Sequence, residues 1–170
     1  MNRPDPVQEL VITTGGLGLI RPASGTWGSL PPVIASGILV VLGAGPASDL
    51  WWIHALVMVV FVIAFSVVCI TGADGAEARW GKDPSPVVAD ETAGMALTLL
   101  LLPTALFSGE LFFVMTTLVG AFVLFRAFDI LKLPPAWGMQ KIPGGWGILL
   151  DDHVAAVQAA VIAWVVFLLM

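Results

Sequence analysis

Between Trp51 and Thr71 the chain reads WWIHALVMVVFVIAFSVVCIT, 21 residues without a formal charge. As a helix rising 1.5 Å per residue, such a run is roughly 31 Å long, the thickness of a bilayer's hydrocarbon core. Lipid offers the backbone no hydrogen bonds, so the run must satisfy its own as a helix. The rest of the composition agrees: hydrophobic residues make up 58% and charged residues 11%, against about 45–50% and 25% in ordinary soluble domains. The chain is an integral membrane protein.

Leu111 to Phe125 and Val154 to Met170 are the next candidate spans, at 15 and 17 residues. Gly94 to Phe107 is apolar but interrupted by Pro103, and its helix can start earlier, near Pro86. Val33 to Gly45 crosses only if it starts near Ser29, with Pro31 and Pro32 in the first turn where proline is tolerated. The expected fold is therefore all-α: a polytopic integral membrane helical bundle of four or five membrane helices, some short or re-entrant, forming a single domain over residues 1–170. No internal repeat is visible. The N-terminal MNRPDPVQEL lacks the apolar core of a signal peptide and is expected to be retained.

The net charge is −5, but placement says more than the sum. If five segments cross, the loops at 46–50 and 108–110 face one side and hold Asp49 and Glu110 with no Lys or Arg. All seven basic residues (Arg3, Arg21, Arg79, Lys82, Arg126, Lys132 and Lys141) fall on the other side, which the positive-inside rule makes cytoplasmic. Trp51 and Trp52 suit the outer interface; Trp80, Trp137 and Trp146 suit the inner one. So sparse a set of cations leaves no nucleic-acid footprint. Cys69 is a lone cysteine in an apolar run, expected to be a small buried hydrophobe.

The same partition gathers ten of the twelve acids on the inner side. Asp5 and Glu9 belong to the N-terminal tail; the other eight lie in polar stretches flanking membrane helices. The first of three polar stretches, TTGGLGLIRPASGTWGSLPP (13–32), mixes glycines, hydroxyls and Arg21, which suits either an anion-gripping loop or a flexible interfacial loop. The second, TGADGAEARWGKDPSPVVADETAGMAL (71–97), places Asp74 and Glu77 on one helical face. It also sets Asp90 and Glu91 just ahead of an apolar run, where a bland solvated charge is not expected. Gly94 lets another backbone approach the turn of Glu91. Asp83, before Pro84, is a turn former or a ligand.

In the third, FRAFDILKLPPAWGMQKIPGGWGILLDDHVAA (125–156), Arg126, Asp129 and Lys132 recur every three residues. They form an ion-paired stripe, or Asp129 orients Arg126 or Lys132 towards a phosphate or joins a metal. Pro134 and Pro135 end that helix, and Gly144, Gly145 and Gly147 make the return turn. Asp151 and Asp152 then begin the last helix, where capping explains one carboxylate and leaves the other. His153 stands alone, outside any two-histidine pattern, and suits packing. Carboxylates without cysteine or paired histidine are hard oxygen donors that suit Mg²⁺ or Mn²⁺ over Zn²⁺. With arginine, lysine and glycine loops at the inner surface, they point to phosphate chemistry on a lipid head group.

Four segments in order, GGLGLIRPASGTWGSL, DPSPVVADETAG, FRAFDILK and GGWGILLDDHVAA, resemble the phosphatidylglycerophosphatase A family of bacterial membrane enzymes, over about Thr13 to Ala160. The resemblance implies Mg²⁺-dependent removal of the terminal phosphate from phosphatidylglycerol phosphate at the cytoplasmic face of the bacterial inner membrane, giving phosphatidylglycerol. It also implies the site. Asp83, Asp90, Glu91, Asp151 and Asp152 are candidate metal ligands. Asp90, Glu91, Asp129, Asp151 and Asp152 are candidate catalytic groups, with Thr26 as an alternative nucleophile. Arg126, Lys132, Gly16, Gly18, Thr26, Ser29, Gly144 and Gly145 are candidate substrate contacts. Ser24, Leu133, Ala156 and Ala89 depart from the family's habit, and none of them removes a charged candidate.

Two other classes are weaker. Asp74-Gly75-x-x-Ala78-Arg79 matches the start of the CDP-alcohol phosphotransferase signature, but its continuation requires glycine and two aspartates where Val88, Thr92 and Ala96 stand. A channel or transporter would carry acids at mid-bilayer and at both faces.

Overall fold

Prolines and glycines set most of the helix ends. The computed structural model describes residues 6–81, 84–139, 142 and 144–170. After a short α1 (Pro6–Ile12) and a 3₁₀ turn (Leu17–Leu19), α2 (Ser24–Gly28) leads directly into α3 (Leu30–Val41), with proline at its first positions. α4 (Trp51–Trp80) has 30 residues, roughly 45 Å, so it outruns a hydrocarbon core and carries Asp74, Glu77 and Arg79 beyond it. It stops at Gly81, whose φ of 92° favours glycine.

α5 (Ala89–Leu101) ends where Leu102 turns extended ahead of Pro103, as the residue before a proline must. A 3₁₀ turn (Thr104–Phe107) follows, then α6 (Leu111–Leu131). α6 closes on Lys132 in the left-handed region, two residues before Pro134. The short α7 (Ala136–Met139) precedes α8 (Gly145–Leu169). Among the described residues there is no strand.

Four stretches are long and apolar enough to cross a membrane: Ser24–Val41, Trp51–Trp80, Leu111–Leu131 and Gly145–Leu169. α5 is the short one expected from the sequence, and the bundle is built around it. It packs chiefly on α4 and α8, and also on α3 and α6. Small residues on the facing helices, Ala96 with Ala155, Ala156 and Ala159, are fully or almost fully buried in one cluster, which lets backbones approach closely where lipid gives no hydrophobic drive. Met58, Met95, Leu99, Leu118 and Phe125 fill the rest of that core. One polar pair is buried away from the acids: Ser36 on α3 and His54 on α4 hydrogen-bond at 2.9 Å, an interhelical tie in place of two unsatisfied groups.

Two element boundaries differ from the sequence reading. α5 starts at Ala89 rather than near Pro86. α8 starts at Gly145, six residues ahead of Asp151. The last difference removes the capping explanation: Asp151 and Asp152 sit nearly two turns into the helix, past the exposed N–H groups of its first turn. The early start is possible because Gly145 lies against α4. A Cβ there would sit 2.5 Å from the Cys69 carbonyl oxygen.

Candidate active site

α5 begins beside three other elements, and each contributes to one cavity. Asp90 and Glu91 occupy its first turn. Asp152 reaches in from α8, and Arg126, Asp129 and Ile130 from the end of α6. Ala23, Ser24 and Gly25 close the side nearest α2, with Pro84, Ser85, Val87 and Lys132 at the margins. The cavity holds about 330 Å³.

Asp90, Glu91 and Asp152 each offer a carboxylate oxygen within 4.8 Å of the others. Asp90 Oδ1, Glu91 Oε2 and Asp152 Oδ2 are buried without a hydrogen-bond partner among the described residues. Three carboxylates packed this closely, each with a buried oxygen left unsatisfied, are costly as they stand. A cation held by one oxygen from each would offset that cost, so the donor set fits a metal ion.

The cations are held beside them. Arg126 Nη1 lies 2.5 Å from Asp129 Oδ2, one turn along the same helix, and 3.9 Å from Glu91 Oε1. Neither Nη1 nor Nε of Arg126 completes a hydrogen bond among the described residues. The guanidinium is therefore anchored by charge with donors to spare, the arrangement that takes a phosphoryl group. Lys132 Nζ lies 2.6 Å from Asp151 Oδ2. Burial pushes the Lys132 pKa down, but its hydrogen bond to Asp151 and the charges of Asp151, Asp152 and Asp129 outweigh that and hold it above its ordinary value.

The glycine-rich loop closes the site by touching it. A Cβ on Gly25 would overlap Glu91 Oε1 and stand 2.8 Å from Arg126 Nη1, so only glycine brings the backbone this close to the charged pair. The loop is pinned from below by a hydroxyl chain. Thr14 Oγ1 and Thr92 Oγ1 are 2.8 Å apart, and Thr92 Oγ1 donates to the Gly28 carbonyl at 2.7 Å. Gly94 lets α5 and α8 meet: a Cβ there would lie 3.1 Å from the Asp152 carbonyl oxygen.

The structure thus brings together Asp90, Glu91, Asp129, Asp152, Arg126 and Lys132 from the sequence's candidates. Asp151 faces Lys132 and is absent from both the three-carboxylate group and the cavity lining. Thr26 is not among the lining residues, whereas Ser24 and Gly25 beside it are. Ser29 is fully buried and donates its hydroxyl to the Gly25 carbonyl. Gly16 sits in the left-handed region ahead of the 3₁₀ turn, and Gly18 packs against the Pro86 carbonyl. Gly144 and Gly145 lie against α4, near Asp74 and Cys69. Asp83 lies outside the described residues. His153 contacts its own helix through the Leu149 carbonyl at 2.9 Å. The sequence reading missed Ser24, Ser85 and Thr92; a threonine directly after Asp90-Glu91, in an otherwise apolar helix, was the available signal for the last.

The sequence profile of the phosphatidylglycerophosphatase A family matches residues 10–167. The chain belongs to the phosphatidylglycerophosphatase A family. Family members named phosphatidylglycerophosphatase A include proteins from Haemophilus influenzae, 29% identical over 95% of this chain and 89% of the relative, and from Escherichia coli, 30% identical over 85% and 74%. A Bacteroides thetaiotaomicron protein, 35% identical over 98% and 99%, carries the provisional name phosphatidylinositol-3-phosphatase. No solved structure matches the chain. As a member of the phosphatidylglycerophosphatase A family, the protein is a lipid phosphatase, a phosphoric monoester hydrolase, with an acidic cluster able to hold a metal.

Proposed function

We propose that this protein is a Mg²⁺-dependent phosphatase of the bacterial inner membrane. It removes the terminal phosphate of phosphatidylglycerol phosphate at the cytoplasmic face and leaves phosphatidylglycerol. One observation carries this reading: three carboxylates with unsatisfied oxygens and an arginine with unsatisfied donors face the same cavity. A phosphate monoester and a cation together complement both sets. The all-oxygen donor set of Asp90, Glu91 and Asp152 favours Mg²⁺, with Mn²⁺ able to replace it.

Bound there, the ion would supply charge neutralisation at the phosphoryl oxygens and acidify a water. The chain does the rest. Arg126 donates to the phosphoryl oxygens, whose charge must be balanced as the bond to the lipid oxygen breaks. Asp129 fixes the guanidinium in place. Lys132, kept protonated by Asp151, adds positive charge at the margin of the cavity. The Ser24–Gly25 backbone forms the wall opposite Arg126. Water is the nucleophile in this reading: its oxygen bonds to phosphorus, its proton passes to a carboxylate of the site, and the lipid oxygen leaves as a hydroxyl once protonated. A Thr26 nucleophile is disfavoured by its absence from the lining.

The test is phosphate release by purified protein from phosphatidylglycerol phosphate and from phosphatidylinositol 3-phosphate, with and without Mg²⁺. Asp90→Asn and Asp152→Asn are assayed alongside. Metal-dependent release from phosphatidylglycerol phosphate, reduced about 100-fold or more in both variants, is expected. Preference for the inositol lipid would keep the reaction and overturn the substrate. No release from folded wild type, in detergent or in vesicles, would overturn the reading.

A further inference from the structure

At about 330 Å³, the cavity lies at the lower end of the roughly 300–1,000 Å³ typical of small-molecule pockets. A phosphorylated head group fits such a space; two acyl chains do not. The chains must leave through an opening, and the two walls of the cavity show where. Ser24 and Gly25 stand at the start of one apolar span, Ser24–Val41, and Ile130 at the end of another, Leu111–Leu131. Farther along, these spans close on each other: α3 packs on α6, and a Cβ on Gly37 would lie in ordinary contact with Leu118 at 3.7 Å. α2, by contrast, packs chiefly on the preceding 3₁₀ turn, on α3 and on α5, and meets α6 across the cavity only where Gly25 approaches the long Arg126 side chain. The spans form a fork, with the cavity between its tines.

Ile130 belongs to both surfaces, lining the cavity while remaining 68% exposed. Apolar exposure continues away from it along α6 at helical spacing through Val123 and Val119, and along the other tine from Trp27 through Ile34 and Ile38. The polar pocket and the lipid-facing surface are thus continuous across one isoleucine.

We infer that the fork between α2 and α6 is the lateral mouth of the site. A diacyl lipid presents its phosphorylated head group through it while the acyl chains stay in the bilayer, against Ile130 and Trp27. The inference rests on the lipid phosphatase reading and adds to it the route and the residues that select a membrane-anchored substrate. Ile130 is a specificity residue here, and the chemistry needs nothing from it.

The first experiment compares Ile130→Gln with wild type on phosphatidylglycerol phosphate in vesicles and on the same head group stripped of both acyl chains. The apparent KM for the vesicle substrate is expected to rise about fivefold or more, and kcat/KM for the soluble compound to fall by clearly less. Equal loss on both substrates, or no change on either, overturns the mouth. The second experiment needs no turnover. Wild type is photolysed in the cold, immediately after mixing, in vesicles with phosphatidylglycerol phosphate bearing a diazirine in one acyl chain. Labelling at Ile130 and Trp27 should exceed that by a diazirine phosphatidylcholine several-fold, and phosphatidylglycerol phosphate should compete it away. Labelling independent of head group overturns the route. Wild type that labels in this way but releases no phosphate would sink the phosphatase reading and leave the route standing.

Discussion

Asp151 and Asp152 are neighbours in sequence with different partners. On a helix, adjacent side chains point about 100° apart, so one aspartate faces Lys132 and the other joins Asp90 and Glu91. Removing each should therefore have a different signature. Asp151→Asn should retain metal binding and lose part of its activity through Lys132, whereas Asp152→Asn should lose both; a titration of Mn²⁺ by electron paramagnetic resonance separates them. The Lys132–Asp151 pair also sets an alkaline limit. The folded pKa of Lys132 lies above its ordinary 10.5, so its stabilising contribution is complete below that value and lost as pH rises through the folded one. Above pH 10.5 the thermal midpoint of wild type should fall more steeply than that of Lys132→Met, measured in the same detergent. Gly25 makes the third case. Gly25→Ala drives a Cβ into Glu91 and Arg126, and should cut kcat at least tenfold while costing roughly 1–3 kcal/mol of stability, the usual range for overpacking.

At the scale of elements, α5 and the glycine-rich loop matter most. α5 is short, and its helical N-terminus lies within the bundle, which is why Asp90 is buried instead of solvated. The loop from Thr13 to Gly28 is held over it by Thr92, whose hydroxyl bonds Thr14 and the Gly28 carbonyl. Thr92→Val keeps the shape and deletes both bonds. It should cost about 1–3 kcal/mol, the penalty of unsatisfied buried partners, and raise KM more than it lowers kcat, while Thr92→Ser restores both. A melting curve and a steady-state assay decide. At the other end of the site, α8 reaches Asp152 only because Gly145 rests on the backbone of α4, so the length of the last helix is set by a contact between helices.

Taken as a whole, the bundle places five carboxylates, Asp90, Glu91, Asp129, Asp151 and Asp152, around Arg126 and Lys132, with a surplus of negative charge among the described residues. Such a site is stabilised by what it binds. A divalent cation that binds the folded state alone raises stability by RT ln(1 + [L]/Kd), about 2.7 kcal/mol at a hundredfold excess over Kd. Adding Mg²⁺ to chelator-treated protein should raise the thermal midpoint by several degrees, and the rise should vanish in Asp90→Asn. The scan reads binding without any lipid or turnover.

The span Trp51–Thr71 and the apolar composition determine a membrane helix bundle, because hydropathy acts along the chain and needs no partner. The four motif segments likewise mark the family and most of the charged candidates. Which carboxylates meet is a different matter. That Asp152 joins Asp90 and Glu91 while Asp151 turns to Lys132, that α8 begins at Gly145 and that Gly25 touches Glu91 follow from how α4, α5, α6 and α8 cross. Spacing along one helix gives the face of a side chain. Only the packing of helices against one another gives what that face meets, and the site is made of such meetings.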